Sequence, residues 1–195
     1  MADKLKNLRV AILATDGFER AELIDPRRAL DAEGADTTLI APKDGQIKAW
    51  ERDHWGETLR VEEKLSSANP DEYDALLLPG GVINADTIRL EKKAVEFVRA
   101  FANEGKPIAV ICHAPWLLVE ADVVRGRKVT SWPSLKTDLK NAGANWVDQE
   151  VVVDNGLVTS RKPDDIPAFN KKMIEEFAEG VHAATGSSRP GFGRT

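Results

Sequence analysis

The stretch KPIAVICHAPWLLVE, Lys106 to Glu120, constrains the fold more than any other part of the chain. Pro107 to Ile111 is a short, continuous apolar run rich in β-branched residues and bounded upstream by Gly105; such a run reads as a strand buried on both faces. It stops at Cys112. Only His113 and Ala114 separate it from Pro115, a residue suited to the first helical position, and from the apolar residues Trp116 to Val119. A strand that becomes a helix within so few residues is a nucleophile elbow. A side chain held there projects above the sheet edge, next to free backbone N–H groups and the positive end of a helix dipole. Both favour a thiolate, and free cysteine, with a pKa of about 8.5, needs that help near neutral pH.

Cys112 is the only cysteine in the chain. A lone cysteine after an apolar strand can also be a small buried hydrophobe. The neighbouring His113 argues for chemistry instead, because an imidazole at the end of a buried strand costs free energy unless it is paired or exposed. One cysteine also excludes an internal disulfide framework and any Cys-x-x-Cys metal or redox pair.

At 195 residues, with 42% hydrophobic and 30% charged residues, the chain reads as one globular domain over residues 1–180 followed by a mobile Gly/Pro/Ser-rich tail over 181–195. The net charge of −5 argues against a nucleic-acid footprint. The charged segment Met1 to Arg9 leads straight into a strand-like run, and no apolar segment approaches membrane-spanning length. A reducing cytoplasm is the expected setting, with no membrane partner.

Leu8 to Ala14 is a fully apolar strand candidate ended by Asp16-Gly17. From Arg20 the positions Leu23, Ile24, Ala29 and Leu30 suit one face of a helix closing at Gly34, and Thr37 to Ala41 reads as a second strand. This βαβ opening calls for a parallel sheet with right-handed crossovers. The turn after the first strand has no G-x-G-x-x-G, and no Walker A loop exists, so no cofactor is expected; with a single cysteine no metal is expected either. Gln46 to Trp50 and Leu59 to Glu62 read as a small hairpin with Trp50, His54 and Trp55 near its loop. These three could line a cleft or an oligomer interface, or form a local satellite cluster. Ala75 to Leu78 resumes the sheet and ends in Pro79-Gly80-Gly81, where two glycines let backbone N–H groups approach a ligand closely. Leu90 to Asn103 is an amphipathic helix with Leu90, Ala94, Phe97, Val98 and Phe101 on one side. Beyond the elbow, extended segments at Arg127 to Thr130, Trp146-Val147, Glu150 to Val153 and Leu157 to Thr159 surround a short helix at Leu135 to Ala142, and Asp165 to Glu179 forms the closing helix.

Four motifs taken together, AILATDGFERAEL, DEYDALLLPGG, AVICHAP and KNAGANWVDQEVVVDNGLVTSRKPDDIPAF, resemble the PfpI family of the class I glutamine amidotransferase-like superfamily, over about Val10 to Phe177. That family includes deglycases, intracellular cysteine peptidases and stress proteins. The resemblance implies an α/β fold: a flavodoxin-like three-layer sandwich with a mostly parallel central sheet and the cysteine on its elbow. It further implies Cys112 as nucleophile, His113 as its partner, Glu19 as the buried carboxyl touching the thiol, and the backbone N–H groups of Gly81 and His113 as oxyanion hole. Asp86 falls where relatives place an acid that orients the histidine, on a loop past Gly81, and in the resembled peptidases the site is completed across a subunit interface. The implied partners are a small-molecule carbonyl or a protein or peptide substrate, and a second copy of the chain in a homodimer or larger homo-oligomer. Ala114 stands where a glycine is common after Cys-His. A glutamine amidotransferase uses a histidine far downstream of its cysteine, and only His182 lies there. Deglycase or glyoxalase-like hydrolysis, peptidase activity, and a non-enzymatic role as redox sensor or chaperone-like stress protein are all compatible with these residues.

Overall fold

The computed structural model describes residues 3–183. Its strands and helices run in the order β1 (Arg9–Leu13), β2 (Phe18–Glu19), α1 (Arg20–Ala32), β3 (Asp36–Ala41), β4 (Gln46–Glu51), β5 (His54–Arg60), β6 (Glu63–Lys64), β7 (Ala75–Leu78), α2 (Val82–Ile88), α3 (Lys92–Asn103), β8 (Ile108–Ile111), α4 (Pro115–Glu120), β9 (Lys128–Val129), α5 (Lys136–Asn141), β10 (Asn145–Trp146), β11 (Val151–Asp154), β12 (Leu157–Ser160) and α6 (Ile166–Glu179). Seven strands form the central sheet in the order β11-β12-β8-β7-β1-β3-β6. All its pairings are parallel except β11 with β12.

The apolar runs become central strands because both faces are covered. Successive side chains alternate between two cores. Val10, Ile12, Leu77, Ala109 and Ile111 pack with Leu23 and Leu30 of α1 and with Phe169, Met173 and Phe177 of α6. Ala11, Leu13, Leu76, Leu78, Ile108 and Val110 pack with Phe97, Val98 and Phe101 of α3 and with Leu117 and Leu118 of α4. The result is the expected flavodoxin-like, three-layer α/β sandwich. The chain moves from β1 to β3 on one side and returns to β7 on the other, so the strand order reverses beside β1. Crevices form at the carboxyl ends of strands at such a reversal, and the turns after β1, β7 and β8 meet there.

Helix α1 ends as its sequence indicates. Gly34 takes φ +87°, and the Ala35 N–H donates back to the Leu30 carbonyl at 3.1 Å, closing the last turn. At the far edge, Asn155 and Gly156 both take positive φ, +44° and +80°, the backbone a tight hairpin between β11 and β12 requires.

Several local expectations change. The second strand of the hairpin starts at His54, not Leu59, and β4 and β5 join β2 in a separate three-stranded sheet. Trp50 and Trp55 meet edge-to-face at 5.3 Å between ring centres, the satellite cluster among the readings considered. Leu90 does not join the buried face of α3; it precedes the helix and is 83% exposed. Asp86 lies within α2, not on a loop, because the seven residues after Gly81 form a helix with no sequence flag of their own beyond Asn84, Ala85 and Ile88 on one side. The segment 181–183 is not a free tail: the His182 N–H donates to the Gly105 carbonyl at 2.8 Å and Asn155 Nδ2 donates to the Ala183 carbonyl at 3.0 Å. The rest of the expected tail, 184–195, lies outside the described residues. Among the described residues no helix is long and apolar enough to cross a membrane.

Candidate active site

The elbow forms as its sequence indicates, with Pro115 in the first turn of α4. Cys112 takes φ +66°, a left-handed conformation that a side-chain-bearing residue holds only when its surroundings impose it. Both neighbouring peptide groups are held. The Cys112 N–H donates to the Ser160 carbonyl at 3.0 Å, and the Trp132 N–H donates to the Cys112 carbonyl at 2.9 Å. Ala114 sits at φ −60°, ψ −25°, ordinary helical backbone, so the position needs no glycine.

The turn after β7 packs tightly under the thiol. A Cβ on Gly80 would lie 2.2 Å from Glu22 Oε2 and 2.6 Å from Cys112 Cβ. A Cβ on Gly81, at φ +93°, would lie 2.4 Å from the Gly17 carbonyl oxygen and 2.5 Å from the Glu19 nitrogen. Side chains are excluded at both positions, and this brings three loops together. Asn84 locks them: its Oδ1 accepts from the Thr15 N–H at 2.7 Å, and its Nδ2 donates to the carbonyls of Pro79 and Gly80, each at 3.1 Å.

Cys112 Sγ and His113 Nδ1 lie 3.1 Å apart. The imidazole is flanked by two indoles, Trp132 nearly parallel at 5.7 Å and Trp116 tilted at 5.4 Å. The backbone N–H groups of Gly81 and His113 face the sulfur of Cys112. The carboxyl beside the thiol is Glu22, not Glu19. Glu22 is fully buried, and neither of its oxygens has a well-formed hydrogen bond among the described residues; the Cys112 thiol and the Gly80 N–H are the polar groups that face it. Glu19 is half-buried at the start of α1, where its N–H donates to the Gly80 carbonyl at 3.2 Å and burial, then the charge of Glu51, raises its carboxyl pKa.

The electrostatics of the pocket follow from burial. Glu22 is pushed up to about 8 by desolvation and then by the charge of Glu19. Desolvation, and then the negative charge that Glu22 carries once it ionises, raise Cys112 above an ordinary thiol, while the N–H groups of Gly81 and His113 pull the other way. Desolvation lowers His113 to about 4. Burial therefore favours a protonated Glu22, a thiol and a neutral imidazole in the resting pocket. This reverses the expectation of a resting thiolate drawn from the elbow alone. The helix start is real, but Cys112 is only 7% exposed, and removal from water outweighs it.

Asp86 is exposed on α2, and no hydrogen bond or ion pair among the described residues joins it to His113 within the chain. Glu22 is the residue beside the thiol that sequence reasoning missed. A signal was present: Glu22 falls in register with Pro26 and Leu30, an i, i+4, i+8 stripe that is otherwise buried and apolar. A charged residue on such a stripe is either paired or held neutral.

A model of the DJ-1/PfpI family matches residues 8–176. A deglycase of Pyrococcus abyssi is 44% identical over 168 residues, which cover 86% of this chain and 98% of that protein. Protein/nucleic acid deglycase 2 of Escherichia coli is 43% identical over 168 residues, covering 85% and 95%. Among solved structures, DJ-1beta of Drosophila melanogaster superposes with a TM-score of 0.80 at 28% identity, covering 91% of each chain.

Burial of Glu22 has a consequence for stability. Its proton is held more tightly in the folded chain, about 8, than at the ordinary value of 4.5, so between those pH values the folded state carries more protons and stability falls as pH rises. The contribution approaches about 1.4 kcal/mol per pH unit in mid-window. Glu22→Gln has no such proton to lose and should gain stability relative to the parent across this range. Urea denaturation of both proteins at about pH 5, 6, 7 and 8 reads the difference; parallel pH profiles would show that the carboxyl is not held protonated.

Proposed function

Because the chain belongs to the DJ-1/PfpI family, we propose that it is a cysteine-dependent hydrolase of reactive-carbonyl adducts, a deglycase-like enzyme acting in the reducing cytoplasm with Cys112 as nucleophile. The observation that carries this reading is the 3.1 Å contact between Cys112 Sγ and Nδ1 of a half-buried His113, whose neutral form desolvation favours, in a pocket that also holds the buried carboxyl of Glu22. The two relatives named as deglycases support the substrate class.

The chemistry follows from the resting protonation state. His113 Nδ1 accepts the thiol proton as Sγ adds to the electrophilic carbon of a carbonyl adduct, and the carbon–oxygen π pair moves onto oxygen. The N–H groups of Gly81 and His113, which face the sulfur at rest, border the place where that oxyanion develops. The imidazolium returns its proton to the departing amine or thiol. Glu22 supplies or withdraws a proton at the sulfur side, stabilising Sγ as thiolate when the sulfur–carbon bond breaks. After the amine or thiol leaves, proton transfer between the two adjacent carbons of the dicarbonyl unit raises the sulfur-bound carbon to a thioester and lowers its neighbour to an alcohol; one water then hydrolyses the thioester, releasing Sγ and a hydroxy acid, so the redox change is internal and no external oxidant or reductant is needed.

Product analysis with a methylglyoxal-modified peptide, free methylglyoxal and an unmodified peptide tests this reading. The parent should release the unmodified side chain from the modified peptide, leave the unmodified peptide intact and lose activity on Cys112→Ala. Cleavage of the peptide backbone instead would establish the peptidase alternative.

Among the described residues no acid of the same chain bonds the far nitrogen of His113, and Asp86 is exposed on the helix that begins at the site. Asp86 of one subunit orienting His113 of another in a homo-oligomer supplies that acid. Mixing inactive Cys112→Ala subunits with Asp86→Ala subunits under exchange conditions should restore part of the activity, because some mixed interfaces then carry both intact residues. An Asp86→Ala enzyme that is fully active alone, or verified mixed oligomers that stay inactive, would leave Cys112 and His113 as a dyad.

A further inference from the structure

At the opposite end of the sheet from Cys112, α6 carries Glu176 and Glu179 one turn apart and so on one face. The chain leaves the helix at Gly180, φ +80° and ψ −143°, a backbone conformation open to glycine, and so returns His182 toward the helix it has just left. One ligand atom from each of Glu176, Glu179 and His182 lies within 4.8 Å of the others. His182 is the downstream histidine that the catalytic site leaves unused.

The contact between His182 and Glu176 is not an ordinary pair. Nε2 and Oε2 are 3.3 Å apart, and Nε2 is buried, yet it forms no hydrogen bond among the described residues. Glu176 is itself only 8% exposed. Nε2 and Oε2 thus lie side by side with Nε2 itself closed off from water, while the exposed Glu179 leaves the third side of the cluster open to solvent. Ligand bonds of about 2.0–2.1 Å to a tetrahedral cation set neighbouring ligand atoms about 3.3–3.4 Å apart, the separation seen here.

The histidine is held in place from several directions. Its N–H is bound to the Gly105 carbonyl at 2.8 Å, and its ring lies over Gly156, where a Cβ would come within 2.8 Å of Cδ2. Asn155 Nδ2 holds the next carbonyl at 3.0 Å.

We propose that Glu176, Glu179 and His182 form a binding site for a divalent cation of the zinc class, with water completing a tetrahedron. One imidazole and two carboxylates suit zinc, whereas magnesium and calcium favour all-oxygen shells. The two carboxylates neutralise the ion's charge. The site departs from the metal-free expectation drawn from the cysteine count, since it uses no sulfur. Its role is structural: it fastens 181–183 to α6 and to the turns that precede β8 and β12.

The test uses the untagged full chain carrying Cys112→Ala, so that the single thiol takes no metal, stripped with chelator. Calorimetric titration with Zn²⁺ should show one ion bound per chain, and Co²⁺ should give the visible absorption of a tetrahedral site. His182→Ala and Glu179→Gln, added to that background, should each weaken binding about tenfold or more, and Zn²⁺ should raise the melting temperature of the background protein but not of these variants. Glu179 is exposed, so its replacement leaves the fold intact and a loss of binding there reports coordination. Absence of stoichiometric Zn²⁺ binding, or either variant binding as tightly as the background protein, overturns the site.

Discussion

The left-handed conformation of Cys112 is the constraint on which the site depends. A non-glycine residue at φ +66° costs on the order of 1–3 kcal/mol, and that cost is offset by two backbone hydrogen bonds on either side of it, to the Ser160 carbonyl and from the Trp132 N–H. These bonds reach from the elbow to the end of β12 and to the segment after β9. The parallel sheet and the position of the Cys112 thiol are therefore mechanically linked. The glycine pair after β7 completes the arrangement, since a side chain at Gly80 would displace either Glu22 or Cys112.

The same packing sets the protonation states. Taking three titratable groups out of water favours the neutral form of each: Glu22 and Cys112 hold their protons more tightly and His113 holds its proton less tightly. A neutral imidazole 3.1 Å from a thiol is a base ready to accept, and a protonated carboxyl on the other side of the sulfur is a donor ready to stabilise negative charge. On the proposed reading, activation therefore belongs to the encounter with substrate and not to the resting state.

The layer architecture was legible because its signals are long and redundant. Apolar runs at Leu8 to Ala14, Ala75 to Leu78 and Pro107 to Ile111 left few alternatives to a parallel sheet, and the strand-to-helix spacing around Cys112 placed the elbow. The four motifs shared with the family placed the fold. What was lost depends on single residues seen in three dimensions. Glu19 and Glu22 are both acidic residues near one loop, and only the helical register of α1 turns Glu22 inward and leaves Glu19 at the cap. The residues of α2 carry weak helical periodicity, so Asp86 looked like part of a loop. The depth of the pocket, which decides whether the helix dipole or desolvation governs the thiol, has no local sequence signature. The return of His182 over Gly105 and Gly156 likewise depends on contacts between segments far apart in the chain.

A buried, neutral Glu22 beside Cys112 is the central physical claim. Infrared difference spectroscopy between the parent and Glu22→Gln, recorded as the pH is raised from about 6 to about 9, observes that carboxyl directly. A protonated-carboxyl band present near neutrality and lost on passing through about 8 is the expected result. A carboxylate signature for Glu22 already at about pH 6 would contradict it.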